Sequence, residues 1–364
     1  MDFSTLLETY GESTVIALAG LVIGALFGAC AQRSRFCLRS AVIEFWDRAC
    51  GEKLAVWLIT FASAVILTQS FITAGWLDVS QARQLAARGS LSGALIGGLL
   101  FGTGMILARG CSSRMLVLAA NGNLRALLAG LVFAVTAQSA LGGALAPLRQ
   151  SIAGWWTVDG GSARDLLAYT GLGHPGGIAF GALWLGAAIY FGRCARLSVW
   201  SKLSAIGVGL AVAGGWLATY TVASHSFEIL PVKSLSFTGP AADMLMLVLS
   251  APAKSMDFDT GLVPGVVLGS FIAAFLAREL KLEGFKDGRS MTRYIAGAIL
   301  MGFGGMLAGG CAVGAGISGA AVFALTAWLT LIAMWLGAGF ANWWFDRRIP
   351  KATTAVLLND PLQP

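Results

Sequence analysis

Charge is the scarcest commodity in this chain. Only 12% of its 364 residues are Asp, Glu, Lys or Arg, against 57% hydrophobic, and the mean hydropathy is +0.75. So little polar surface cannot coat a water-soluble globule, which leaves an all-α polytopic membrane protein as the expected class. Histidine is scarcer still, with His174 and His225 alone, both far in sequence from the six cysteines at 30, 37, 50, 111, 194 and 311. Those cysteines show no tight paired spacing, so neither a zinc site nor any other metal or cofactor is expected. The first residues include Asp2, Glu8 and Glu12 but no Lys or Arg, and the first apolar run continues as a full span, so no cleaved signal peptide is expected. The net charge of +7 is spread over many short connections rather than gathered in one patch, which argues against a nucleic-acid partner. No Gly-Lys-Ser/Thr follows Gly302-Phe303-Gly304-Gly305, so that run is not a phosphate loop.

What the chain has in quantity is apolar runs of membrane-crossing length, near 14–31, 54–77, 91–110, 124–146, 175–193, 203–223, 261–277, 294–310 and 321–345. These predict nine spans. Of the 25 Lys and Arg, 18 fall in one alternate set of connections (32–53, 111–125, 193–202, 278–293 and a tail with Arg347, Arg348 and Lys351), and 6 in the other. By the positive-inside rule the N-terminus is expected outside and the C-terminus in the cytoplasm. Four apolar segments, 38–50, 112–120, 237–250 and 312–320, are too short to span and follow polar or glycine-rich breaks, as re-entrant half-helices do. For 38–50, which includes Glu44, a surface-lying amphipathic helix is the competing reading.

The stretch 97–111 recurs at 297–311 with eight identities in fifteen positions, among them Gly110-Cys111 against Gly310-Cys311. An offset of 199 sets 33–40 against 232–239, placing Cys37 opposite Ser236 and Glu44 opposite Asp243. Corresponding spans are then five apart, an odd number, so the halves are expected upside down relative to each other. The organisation is one membrane domain over 1–364: repeat 1 at 14–146, a linker with the central span at 147–202, an inverted repeat 2 at 203–346, and a cytoplasmic tail at 347–364. Gly-xxx-Gly spacings such as Gly20 with Gly24, Gly24 with Gly28 and Gly98 with Gly102 read as close helix packing.

A break that opens a half-helix exposes backbone N–H groups and the positive end of the helix dipole, and so attracts anions. Arg33, Arg35, Arg39 and Arg109 stand near two of the breaks, beside Gln32 and Ser34. The residues at the four starts are Cys37, Ser236, Cys111 and Cys311, with Gly110, Gly310 and Thr238 alongside. Thiols are soft, weak donors whose pKa falls beside cationic groups. Their use where hydroxyls would serve a hard anion points to a sulfur-bearing one. Cys30, Cys50 and Cys194 read as small buried hydrophobes, and Glu44 and Asp243 as partners of nearby basic groups or interfacial water rather than a proton relay.

At these motifs the chain resembles the YeeE/YedE family of bacterial sulfur-compound transporters. The resemblance spans nearly the whole sequence and rests on Gln32-Arg33-Ser34-Arg35-Phe36-Cys37, Gly110-Cys111-Ser112-Ser113, Ser236-Phe237-Thr238-Gly239-Pro240 and Gly309-Gly310-Cys311-Ala312-Val313-Gly314. It implies an hourglass-shaped permease of nine spans in the bacterial inner membrane, not an enzyme, in which Cys37, Cys111 and Cys311 line a constriction and hydrogen-bond thiosulfate as it passes. It also implies a small cytoplasmic sulfur-carrier protein as a partner. A membrane sulfurtransferase that forms a cysteine persulfide is the alternative, and a glycine-packed scaffold subunit the bland one.

Overall fold

The computed structural model describes residues 9–226, 230–249, 256–284 and 288–346. The expected tail, Lys254 and Lys286 lie outside them. Twelve helices carry the architecture: α1 (Glu12–Ser34), α2 (Leu38–Trp46), α3 (Glu52–Thr73), α4 (Leu91–Leu107), α5 (Ser112–Ala120), α6 (Leu124–Gly142), α7 (Gly173–Cys194), α8 (Val199–His225), α9 (Thr238–Leu249), α10 (Phe258–Leu276), α11 (Gly288–Leu307) and α12 (Leu325–Ala341). Among the described residues, 8 stretches are long and apolar enough to cross a bilayer. Eight of the nine expected runs fall on them. The other, 294–310, falls on α11, whose apolar part Met291–Leu307 is shorter. Two of the stretches, Glu12–Trp46 and Leu91–Ala120, take in a long helix, its break and the short helix beyond, so α1 with α2 and α4 with α5 read as broken spans.

Glycine lets these helices touch backbone to backbone. Gly20, Gly24 and Gly28 of α1 lie against Phe258, Leu262 and Val266 of α10, while Gly261, Gly265 and Gly269 of α10 lie against Ala17, Leu21 and Ala25 of α1. Both series ascend together, so the two helices run parallel. Gly98 and Gly102 of α4 meet Thr330 and Met334 of α12 in the same way. Between α4 and α11 the contact is reciprocal and antiparallel: a methyl on Gly97 would lie 2.6 Å from both the Gly304 carbonyl and the Ala308 amide, and one on Gly297 would lie 2.6 Å from the Gly104 carbonyl and 2.5 Å from the Ala108 amide. In the absence of a hydrophobic force between helices in lipid, such close approach is what dispersion and packing need.

α7 packs on α3, with Gly177 against Gln69 and Gly181 against Val65 and Ile66. At its far end Cys194 is disulfide-bonded to Cys50, across a separation of 144 residues. This corrects the reading of Cys50 and Cys194 as buried hydrophobes: the antiparallel packing of α3 and α7 brings together two cysteines that sequence spacing keeps apart. Cys30 is a free, half-buried thiol. Exposed aromatics form two girdles, Trp76, Trp155, Trp156 and Tyr169 at one end of the helices and Tyr190, Trp200, Trp343 and Trp344 at the other. Amphipathic rings collect in this way at the two faces of a bilayer.

Candidate functional site

Three breaks share one local geometry. α1, α4 and α11 each end in a left-handed residue, Arg35 (φ 52°), Arg109 (φ 55°) and Gly309 (φ 79°), and in each case a cysteine follows two positions later. The residue between closes the helix end through its amide: Phe36 donates to the Ala31 carbonyl (3.1 Å), Gly110 to Met105 (3.1 Å) and Gly310 to Gly305 (2.9 Å). This C-terminal motif satisfies otherwise orphaned carbonyls. It also swings the chain so that a cysteine starts the next helix. Cys37 and Cys111 are the N-terminal flanking residues of α2 and α5, with extended backbones (φ −162°, ψ 116° and φ −84°, ψ 169°).

The thiols form two stations. Cys37 and Cys111, both buried, are interacting neighbours, and Cys111 Sγ also lies 3.4 Å from Ser113 Oγ. The guanidinium groups of Arg114 and Arg39 face Cys37. Cys311, fully buried, accepts from two backbone amides, Phe237 at 3.3 Å and Gly314 at 3.4 Å. Ser236 stands over Gly314, where any β-carbon would collide with its hydroxyl. Thus the structure pairs Cys37 with Cys111 and Cys311 with the Ser236–Phe237 turn. Ala308 and Ala108, three residues before two of the thiols, meet α4 at Gly97 and α11 at Gly297 respectively, levels 11 residues apart along the α4 chain, or about 16 Å at 1.5 Å per residue.

The segment after Cys311 is not an ordinary half-helix. Gly314–Gly319 form a wide π-type turn in which Ser318 N donates to the Val313 carbonyl (2.8 Å) and Gly316 N to the Cys311 carbonyl (3.3 Å). Other segments hold it in place: Trp216 Nε1 donates to the Ser318 carbonyl (3.2 Å), Gln69 Nε2 to the Ala321 carbonyl just beyond the turn (2.7 Å), and the Leu235 carbonyl accepts from Ser318 Oγ (2.8 Å).

Other expected site residues divide. Thr238 Oγ1 is buried, has no partner and lies over Gly305; Ser112 Oγ is likewise buried and unpartnered beside Cys111. Buried hydroxyls left unpaired in a native fold call for an explanation, and a passing polar guest is one. Gln32 Nε2 donates to Glu279 (2.9 Å), leaving its Oε1 buried without a partner, and Arg35 pairs with the same carboxylate at 3.6 Å. Ser34 bonds back to the Cys30 carbonyl (2.7 Å), and Arg33 and Arg109 are exposed. A methyl on Gly310 would lie 2.8 Å from the Ala315 amide, so glycine is needed there; Gly110 has room, its nearest neighbour being Met115 at 3.5 Å. Glu44 accepts from the Leu54 amide (2.7 Å) and so caps the start of α3. Sequence reasoning missed Arg114, one terminal nitrogen of which is buried without a partner while the group faces Cys37, Cys111, Arg35 and Glu279. The signal was present: Arg114 is the single charge in an otherwise apolar short helix.

Residues 33–340 match the family described as Sulphur transport. The chain is 26% identical over 345 residues to the thiosulfate transporter TsuA of Escherichia coli (strain K12), covering 90% of this chain and 94% of the relative. It is 28% identical over 354 residues to the thiosulfate transporter TsuA of Spirochaeta thermophila, covering 90% and 99%. A probable transporter, YedE of Salmonella typhimurium, is 36% identical over 86 residues, 22% of this chain and 21% of its own length.

Proposed function

This chain belongs to the Sulphur transport family, that of the YeeE and YedE proteins, and from that premise we propose that it carries thiosulfate or a closely related sulfur anion inward across the bacterial inner membrane. The observation that carries the reading is the pairing of the Cys37 and Cys111 thiols at two helix starts, with a third thiol, Cys311, cradled by two amides. A sulfur anion of this kind has a soft terminal sulfur and a hard oxyanion end. Weak S–H donors suit the first, and helix N-termini and guanidinium groups the second. Each helix N-terminus offsets dehydration by only about 0.3–1 kcal/mol, rising to about 2 when partly buried, so several are needed together with Arg114 and Arg39.

On this reading the anion meets Ser236, Thr238 and Cys311 first, then Cys111 and Cys37, and no covalent bond forms. The two halves are an inverted repeat and the pathway an hourglass narrowing at the thiols. Supporting this are the reciprocal contact of Gly97 and Gly297 and the equivalence of the Cys37–Cys111 station with the Ser236–Cys311 one. The N-terminus faces the periplasm and the C-terminus the cytoplasm, where a small sulfur-carrier protein receives the product. Expression of Cys111→Ala in a cysteine auxotroph without other sulfur importers tests the proposal: growth on thiosulfate is lost while membrane insertion and yield stay normal. Full growth by a well-expressed variant removes the thiol from the mechanism.

One observation favours a second reading. Two adjoining thiols faced by two guanidinium groups are also the setting of a nucleophilic thiolate. Such a thiolate would attack the sulfane sulfur, the S–S bond would break, and sulfite would leave with the electron pair, so that one cysteine gains a sulfur atom as a persulfide. Intact-mass measurement after exposure to thiosulfate distinguishes the two, the transporter keeping its mass.

A further inference from the structure

The extended segment 230–237 runs to Cys311 and is fastened at successive residues. Thr219 Oγ1 binds both the carbonyl (2.6 Å) and the amide (3.2 Å) of Lys233, Ser234 Oγ donates to the Val212 carbonyl (2.6 Å), the Leu235 carbonyl accepts from Ser318 (2.8 Å), and the Phe237 amide donates to Cys311 Sγ (3.3 Å). At its outer end the Lys233 ammonium lies 2.6 Å from Asp259 Oδ2 and 3.3 Å from Asp257 Oδ2. The two carboxylates differ. Asp257 is occupied as the cap of α10, accepting from the Thr260 amide (2.9 Å) while its own amide donates to Thr260 Oγ1 (2.9 Å). Asp259 is only 9% exposed, and its Oδ1 is buried with no partner.

The groups around Asp259 are few. Lys233 and Asp257 touch it through this cluster, and Asp243 faces it from α9. At this level α1 presents Gly20 to the Phe258 carbonyl; its Glu12, about 12 Å further along the helix at 1.5 Å per residue, is bonded to Ser226. α5 brings only Arg114, which faces the thiol pair and Glu279 at the other end of α10. Among the described residues, Lys233 is therefore the one cation paired with Asp259.

We propose that Asp259 is a proton-binding site that couples entry of the anion to entry of a proton. This rests on the transport reading. As the anion reaches the segment, the Lys233 ammonium turns from Asp259 to the anion, and the buried carboxylate, now without its counter-charge, takes up one proton, because an ionised group so placed costs far more than a neutral one. When Lys233 returns, the proton leaves on the other side. A dianion entering a negative interior moves against the field in proportion to its charge, and one accompanying proton halves the charge moved.

The test uses the full chain in proteoliposomes with a pH dye in the lumen, the potential clamped by valinomycin and potassium, and radiolabelled thiosulfate outside. In the wild type, thiosulfate entry acidifies the lumen by one proton per anion, and an inward proton gradient speeds entry. In Asp259→Asn the ratio of rates with and without the gradient falls to one, whatever the absolute rate. Uptake by the wild type without acidification overturns the coupling even if the variant fails to fold, and so does a variant that keeps the ratio. If no thiosulfate enters wild-type vesicles at all, the transport reading itself falls and takes the coupling with it.

Discussion

At the scale of single residues, Arg114 decides how the thiol pair is to be understood. Two sulfhydryls alone provide no charge for an oxyanion, yet a guanidinium with an unsatisfied terminal nitrogen stands beside them. A hydrogen bond to a charged group contributes about 1.5–3 kcal/mol. Arg114→Met is therefore expected to raise the KM for thiosulfate about tenfold to a hundredfold, with a smaller effect on kcat, and Arg114→Lys to restore part of the loss. A packing role would lower yield and leave KM untouched, so uptake kinetics at several concentrations separate the two. The thiols themselves were legible in the sequence, because cysteine is rare and the Gly-Cys match at 110–111 and 310–311 fixed two of them. The amides of Phe237 and Gly314 that cradle Cys311 were not, since any residue supplies an amide and only the fold aims it. Nor was the Cys50–Cys194 bond, which depends on a tertiary contact between α3 and α7.

At the scale of elements, the hydropathy pattern located the long helices well, since in lipid every backbone group must be paired within its own segment. It served less well after Cys311. Gly314–Gly319 has too little side chain to show a period, and its wide turn is held by Trp216, Gln69 and the Leu235 carbonyl from other segments. The contact of α4 with α11 gives the strongest element-scale expectation. Gly97 and Gly297 each face a carbonyl and an amide of the opposite helix at 2.5–2.6 Å from where a methyl would sit, so valine at either site must push the helices apart. Overpacking of this kind costs about 1–3 kcal/mol. Gly97→Val and Gly297→Val are expected to lower the thermal midpoint of detergent-solubilised protein by similar amounts, whereas Gly130→Val, where nothing lies within 4 Å, is expected to leave it unchanged. Unequal losses at the two paired glycines would contradict the equivalence of the halves.

At the scale of the whole molecule, charge, aromatics and redox chemistry bear on one question, which face is inside. The connections with most Lys and Arg lie at the girdle of Tyr190, Trp200, Trp343 and Trp344, the end that the proposed orientation, resting on the positive-inside rule, turns to the cytoplasm. Cys50 and Cys194 lie at the same end, which in the proposed orientation faces the cytoplasm, where glutathione keeps most thiols reduced. The two facts agree if the pair is a dithiol in the growing cell and closes on exposure to air. A fluorescent protein fused after Pro364 is then expected to fluoresce, as it does only when it folds in the cytoplasm. Cells quenched in acid before alkylation should give Cys50 and Cys194 as alkylated thiols, whereas protein purified in air should give them joined. A dark fusion together with a bond present in quenched cells would invert the molecule, placing the Cys37–Cys111 station at the outer mouth and reversing the order in which the anion meets the thiols.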